Sequence, residues 1–271
     1  MEAHDLADRL IGVASEAGRL QMRHYSSGIA FERKSDASPV TAADRESELV
    51  IVRALERIAP DTPVVAEEAM SEGRSPKIGR QFFLVDPLDG TREFISGRGE
   101  FTINIALIET GTPIFGLVYA PALDQLFVTL AKDQAFEAHM APGAQNTRLD
   151  ELELSQLQGK SPDMDALQVV ASRSHLDPQT EEYLAGFKVA ERMSAGSSLK
   201  FCLLARGQAD LYPRFGRTME WDTAAGHAVL HAAGGTVVTV DGEPLAYGKK
   251  DAGFANPGFV AWGSANSATV S

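Results

Sequence analysis

The chain has 271 residues, 44% hydrophobic and 23% charged, the composition of a soluble globular protein with room for one large domain or two compact ones. Its 37 acids against 25 Lys and Arg leave a formal charge of −12, which disfavours non-specific binding to nucleic acid or anionic lipid. The single cysteine, Cys202, excludes an intrachain disulfide and fits a reducing cytoplasm; between Phe201 and Leu203 it reads as buried filler.

Asp5, Asp8, Arg9 and Glu16 interrupt the N-terminal apolar residues, which speaks against a signal peptide or a membrane span, and no later stretch is apolar enough to cross a bilayer. Leu6, Leu10, Val13, Ala17 and Leu20 recur at four- and three-residue steps and predict an amphipathic helix. An extended hairpin or loop is expected over 28–36. Ser38-Pro39-Val40-Thr41 then leads into a helix with Leu49, Val52, Leu55 and Ile58 as apolar positions, stopped by Pro60. Thr41-x-x-Asp44 has capping-box spacing, so Asp44 in isolation reads as a cap, open to a second role only if its carboxylate turns from the backbone.

Val64, Val65 and Ala66 form a short apolar run ending in Glu67-Glu68, and Phe82, Phe83, Leu84 and Val85 form another, ending in Asp86-Pro87-Leu88-Asp89-Gly90-Thr91. Pro87 fixes one backbone torsion and Gly90 frees another. An ordinary Asx turn explains the second ending. Two carboxylates plus the Leu88 carbonyl would equally suit a hard divalent cation, with the Thr91 hydroxyl beside it. Residues 101–108, 114–119 and 125–129 read as an antiparallel meander, with Ile103, Ile105 and Leu107 on the buried face of the first strand.

A polar, Gly- and Pro-containing stretch over 141–165 marks a candidate boundary between an N-terminal half, 1–150, and a C-terminal half, 151–271. The second half alternates: a strand over 168–171, Ser172-Arg173-Ser174-His175, a helix over 180–185 and a strand over 187–190. Gly196-Ser197-Ser198 then opens a helix carrying Leu199, Cys202, Leu203 and Leu204. Lys200 in its first turn opposes the helix dipole, which points to another use for its charge. Trp221-Asp222 opens a last helix, with Asp222 as a natural N-cap and Gly234-Gly235 at the end. His227 and His231 have zinc-ligand spacing, but Ala228 stands where the metalloprotease pattern needs Glu, so both read as structural.

Asp44, Glu67, Asp86, Asp89 and Asp222 thus all stand at element ends. If they meet, they repel one another unless cations fill the cluster, and an oxygen-only set points to magnesium rather than zinc or copper. Such a site would clamp a phosphate ester and activate water without a covalent nucleophile. A non-catalytic metal- or nucleotide-binding protein is the alternative from another class.

These residues resemble the inositol-monophosphatase-like, magnesium-dependent, lithium-sensitive phosphatases. Asp86-Pro87-Leu88-Asp89-Gly90-Thr91 matches the first signature of that family, Trp221-Asp222-Thr223-Ala224-Ala225-Gly226 matches the second, and Glu67-Glu68 the preceding acidic pair, with similar order and spacing over nearly the whole chain. The resemblance implies a layered αβαβα sandwich and two or three magnesium ions held by Glu67, Asp86, the Leu88 carbonyl, Asp89 and Asp222. It also implies a water activated by Thr91 with Asp44, Glu67 assisting.

Within the family, residues 38–44, Glu93-Phe94 and Ser197-Ser198-Leu199-Lys200-Phe201-Cys202 are similar to the 3'(2'),5'-bisphosphate nucleotidase branch, where Lys is more usual at Arg92. That similarity implies substrate contacts from Gly90, Thr91, Ser197, Lys200, Arg214 and Asp222, with His175 near the base. The implied protein is a cytoplasmic monomer or homodimer, with peripheral inner-membrane association open. It would remove the 3'-phosphate from 3'-phosphoadenosine 5'-phosphate, a by-product of sulfate assimilation. Inositol monophosphatase or fructose-1,6-bisphosphatase activity on the same fold is the nearer alternative.

Overall fold

The computed structural model describes residues 1–27, 31–33, 39–143, 147–171 and 178–265. Two helices make the outer layer. Helix α1 (Ala3–Ser27) buries Leu6, Leu10, Ile11, Ala14, Ala17 and Leu20, the expected stripe except that Val13 is only half-buried at its margin. Strands β1 (Phe31–Arg33) and β2 (Pro39–Thr41) pair as a short antiparallel hairpin and lead into α2 (Ala42–Ile58). The apolar face of α2 differs from expectation: Ile51, Ala54 and Leu55 are buried, whereas Leu49 is 50% exposed. Leu49 lies two residues, or about 200° of helix, from Ile51 and so faces away from the core.

The first sheet follows: β3 (Val64–Ala66), then α3 (Glu67–Ser71), β4 (Gln81–Asp89), α4 (Thr91–Ile95), β5 (Thr102–Glu109), β6 (Thr112–Ala120), β7 (Gln125–Ala131), β8 (Gln134–His139) and β9 (Ser155–Gln156). Its seven strands lie in sequence order, antiparallel except for the parallel β3–β4 pair. The meander is as expected, but β5 is not half-exposed. Ile103, Ile105 and Leu107 pack under α1 and α2, and Ala106 and Ile108 pack into the core on the other face. A strand between two helical layers is buried on both sides.

The remaining elements are β10 (Leu167–Ala171), α5 (Pro178–Leu184), β11 (Val189–Ser194), α6 (Leu199–Ala205), β12 (Leu211–Arg214), α7 (Glu220–Ala232), β13 (Thr236–Thr239) and β14 (Phe259–Trp262). The strands form a mixed five-stranded sheet in the order β11-β10-β12-β14-β13. Helices α6 and α7 lie between the two sheets. Their core joins Phe82, Leu84 and Phe127 of the first sheet to Phe201, Val229, Tyr212 and Phe259. Leu184 of α5 covers the outer face of the second sheet with Leu167, Leu211 and Trp262. The layering is the expected αβαβα sandwich.

Helix α7 approaches both neighbours closely. A Cβ on Gly116 of β6 would sit 2.2 Å from the Ala225 carbonyl, and one on Gly226 would sit 2.6 Å from the Phe201 ring. Glycine at both places lets the helix lie directly on the sheet and on α6, which fixes where its first turn, and Asp222, end up. Among the described residues no helix is long and apolar enough to cross a membrane.

Candidate active site

The site is built on an irregularity in β4. Its pairing with β5 runs from Gln81↔Glu109 to Asp86↔Asn104 and resumes at Asp89↔Thr102, so Pro87 and Leu88 stand against Ile103 alone. The expected end of this strand at Val85 is therefore too early: the strand continues to Asp89 through a bulge. A bulge is where Pro is tolerated in a sheet, because no ladder donor is required of it, and it re-aims the flanking side chains. Gln21 of α1 secures the bulge, its Nε2 donating to the Pro87 carbonyl at 2.6 Å. Asp86 Oδ1 accepts the Leu88 N–H at 3.0 Å. Gly90 follows at φ 90°, a left-handed conformation that favours glycine, and a Cβ there would also crowd the Glu100 carbonyl at 3.2 Å.

Because β3 runs parallel to β4, with Ala66 opposite Val85, Glu67 emerges beside Asp86 and its charge bears on the Asp86 carboxyl. Glu67 and Glu68 open the short helix α3. The start of that helix is pinned by Glu48, whose two oxygens accept the Glu68 N–H at 2.7 Å and the Ala69 N–H at 2.9 Å. Burial, together with the charges of Glu68 and Glu67, pushes the Glu48 carboxyl up to about 7. Asp222 arrives from α7. It is not the N-cap but stands in the first turn after Met219, with Oδ2 accepting the Met219 N–H at 2.8 Å.

Asp86 and Asp222 are both raised well above the ordinary carboxylate range. For Asp86 the causes are burial and then the charges of Glu67, Asp89 and Asp222; for Asp222 they are burial and then Asp89 and Glu67. Glu67, Asp86, Asp89 and Asp222, four of the five expected acids, are thus close enough to repel, although among the described residues no three acidic, His or Cys side chains converge as a ready-made cation cage.

Asp44 reconciles the two readings of its position. Its Oδ2 accepts from the Thr41 N–H at 2.7 Å and the Thr41 hydroxyl at 2.6 Å, completing the capping box of α2, while Oδ1 lies 3.4 Å from the Thr91 hydroxyl. The carboxylate need not leave the backbone to reach the site, since each oxygen faces one partner. The Thr91 hydroxyl is also 3.3 Å from the Leu88 carbonyl.

The corner before α6 closes the other side. Ser197, at φ 53°, donates from Oγ to Asp89 Oδ2 at 2.6 Å, so it meets a carboxylate rather than open solvent. Lys200 is buried; its Nζ donates to the Ser197 carbonyl at 2.6 Å and the Ala195 carbonyl at 3.3 Å and lies 5.4 Å from the Tyr212 ring centre. Burial pulls it down to about 8, partly offset by Asp89. The ammonium therefore holds the corner itself through these two carbonyls. Arg214 is half-buried, with one terminal N–H on the Arg217 carbonyl at 3.3 Å. Its buried Nε has no hydrogen-bond partner among the described residues. His175 lies outside the described residues.

Four contributors escape sequence reasoning: Gln21, Glu48, Thr102 and Asn104. The last two carried a signal, being polar residues on the alternate face of an otherwise apolar strand. His227 is buried with a ring nitrogen 3.0 Å from the Tyr247 hydroxyl, whereas His231 is exposed.

Residues 2–268 match the inositol monophosphatase family. The chain is 43% identical over 256 residues to the 3'(2'),5'-bisphosphate nucleotidase CysQ of Escherichia coli strain K12, covering 94% of this chain and 98% of that one. It is 38% identical to the CysQ of Buchnera aphidicola, covering 94% and 93%. The crystal structure of CysQ from Bacteroides thetaiotaomicron superposes with a TM-score of 0.78 at 37% identity, covering 96% and 97%. With two sheets around α6 and α7 and acids from both halves of the chain at one bulge, the protein belongs to the inositol monophosphatase family, in the branch of its CysQ members.

Proposed function

We propose that the protein is a magnesium-dependent phosphatase that hydrolyses the 3'-phosphate of 3'-phosphoadenosine 5'-phosphate to AMP and inorganic phosphate. The observation that carries this reading is the Thr91 hydroxyl, held between Asp44 Oδ1 and the Leu88 carbonyl at the edge of four mutually repelling carboxylates. The substrate rests on the likeness to proteins named 3'(2'),5'-bisphosphate nucleotidase.

The donor set fits hard cations: Glu67, Asp86, the Leu88 carbonyl, Asp89 and Asp222 offer oxygen only, and the raised Asp86 and Asp222 carboxyls are the groups a positive charge would relieve. Two or three magnesium ions held there would polarise the phosphoryl oxygens and favour ionisation of a nearby water. The chain's own residues do the rest. Thr91 takes a proton from the attacking water as it passes its own to Asp44 Oδ1. The water oxygen bonds to phosphorus, the bond from phosphorus to the ribose O3' breaks with its electron pair on O3', and O3' takes a proton from a solvent water to leave as a hydroxyl, while Asp44 returns its proton to solvent. General-base help of this kind contributes about 10²- to 10⁴-fold. Arg214, with its unmet Nε donor, supplies the contact for a second phosphate, and Lys200 fixes the corner that carries Ser197. Lithium inhibition, a place in clearing a by-product of sulfate assimilation and action in the cytoplasm belong to the same proposal.

The test is phosphate release, with magnesium, from 3'-phosphoadenosine 5'-phosphate, inositol 1-phosphate and fructose 1,6-bisphosphate side by side. Preference for the nucleotide, abolished by Asp89→Asn, is the expected result. Preference for either sugar phosphate would leave the acidic site standing and remove the nucleotide.

A further inference from the structure

The register of β5 places Thr102 opposite Asp89 and Asn104 opposite Asp86. Both are buried, Thr102 completely. The Thr102 hydroxyl bonds to the Ser197 hydroxyl and lies 3.1 Å from Asn104 Oδ1. Ser197 Oγ is 2.6 Å from Asp89 Oδ2, and Asn104 Nδ2 reaches the same oxygen at 3.3 Å. Ser198 Oγ stands 3.2 Å from Asp89 Oδ2 and 2.9 Å from the Asp222 carbonyl.

The protons can be assigned. A carboxylate only accepts, so the Ser197 proton points to Asp89. The bond between the two hydroxyls must then take its proton from Thr102. That donation uses the single Thr102 proton, so Asn104 Oδ1 at 3.1 Å is a neighbour of the hydroxyl and not its acceptor, while the Asn104 amide nitrogen points to Asp89. The chain is polarised in one direction, Thr102 to Ser197 to Asp89. Among the described residues only Oδ2 of the Asp89 carboxylate receives these bonds, which leaves Oδ1 to meet a cation. Ser197 occupies the left-handed region at φ 53°, uncommon for a residue with a side chain, and its two hydroxyl bonds offset that strain.

We infer that Thr102, which lies outside both signature motifs, is a positioning residue that sets Asp89 for cation binding by acting through Ser197. The inference rests on the reading of the acidic cluster as a magnesium site. Groups that orient a metal ligand change metal affinity when removed, typically by about 10- to 100-fold.

The experiment is calorimetric titration of magnesium into the full-length protein, freed of metal, for wild type, Thr102→Val, Thr102→Ser, Ser197→Gly and the double variant Thr102→Val/Ser197→Gly, with Asp89→Asn as reference. Val keeps the shape of Thr without the hydroxyl, and Gly accepts φ 53°. Thr102→Val is expected to weaken magnesium binding roughly 10-fold and Thr102→Ser to restore it. The double variant should be no weaker than Ser197→Gly alone, because the two act in series. If Thr102→Val does not fold, wild-type affinity in Ser197→Gly overturns the relay and a roughly 10-fold loss there supports it. Unchanged affinity in Thr102→Val, with loss in Asp89→Asn, overturns the positioning role and leaves the metal site intact. No magnesium binding by wild type would defeat the metal reading, and the inference with it.

Discussion

In the proposed mechanism Asp44 joins a helix cap and a proton path in one carboxylate, and Asp44→Asn should separate them. The asparagine oxygen can still accept from the Thr41 N–H and hydroxyl, now at 2.7 and 2.6 Å, but its amide nitrogen then faces Thr91 in place of Oδ1. Asn and Asp are near-equal at helix N-termini, so stability should change by less than about 1 kcal/mol. The Thr91 hydroxyl meanwhile loses its acceptor, which should lower turnover about 10²- to 10⁴-fold, or roughly 3 to 5 kcal/mol of barrier. Asp44→Ala removes the cap as well and should cost a further 0.5 to 2 kcal/mol or so of stability. Urea unfolding followed by tryptophan fluorescence measures the first quantity and kcat for phosphate release the second. More than a tenth of wild-type kcat in Asp44→Asn would take Asp44 out of the proton path. A stability loss above about 2 kcal/mol would show that cap and site cannot be separated at this residue.

Asp222→Asn should raise the melting temperature of the metal-free protein, because it relieves the repulsion between Asp222 and its acidic neighbours, and should shrink the stabilisation produced by added magnesium. For wild type that stabilisation should reach about 2.7 kcal/mol at a hundred times Kd, and equal magnesium shifts in both proteins would count against Asp222 as a ligand. His227 is held down to about 3 by burial and then by the positive charges of His231 and Lys249, so between its unfolded value near 6.5 and that point the unfolded chain binds the extra proton. Its contribution is therefore complete above pH ~6.5 and is lost toward pH ~3, at most about 5 kcal/mol, and His227→Gln should flatten this acid limb in urea titrations across pH. Gly116→Ala drives a Cβ to 2.2 Å from the Ala225 carbonyl and should cost about 1 to 3 kcal/mol in urea unfolding; a loss under about 0.5 kcal/mol would mean that α7 shifts freely on the sheet.

The layered architecture was legible because alternation and helical stripes carry it: Phe82 and Leu84 face one core, Phe83 and Val85 the other. Failures occurred where tertiary packing overrides local pattern. Leu49 looked core-facing on periodicity alone and is exposed, and β5 looked half-exposed while helices cover both its faces. Local chemistry located the acids at element ends, but the bulge after Asp86 depends on pairing with β5, which single-strand reasoning does not contain. Gln21 and Glu48 were invisible for the same reason. Each serves a backbone segment remote in sequence, the Pro87 carbonyl and the start of α3. At Asp44 the two oxygens of one carboxylate divide the work, Oδ2 capping the helix and Oδ1 facing Thr91, a division that residue spacing does not encode.

Helix α7 packs against β4, β5, β6, β7 and β8, all far earlier in the chain, and it also brings Asp222 to the bulge. Contacts of such long sequence separation form late and slowly, after the loop-closure entropy between them has been overcome. During refolding, the first sheet and its covering helices can therefore gather their own apolar faces before any acid arrives from α7. The same order holds on the ribosome, where residues 1–143 emerge well ahead of residue 222. Return of turnover should accordingly lag return of sheet signal, making enzymatic activity a clock for the last docking event in the life of the chain.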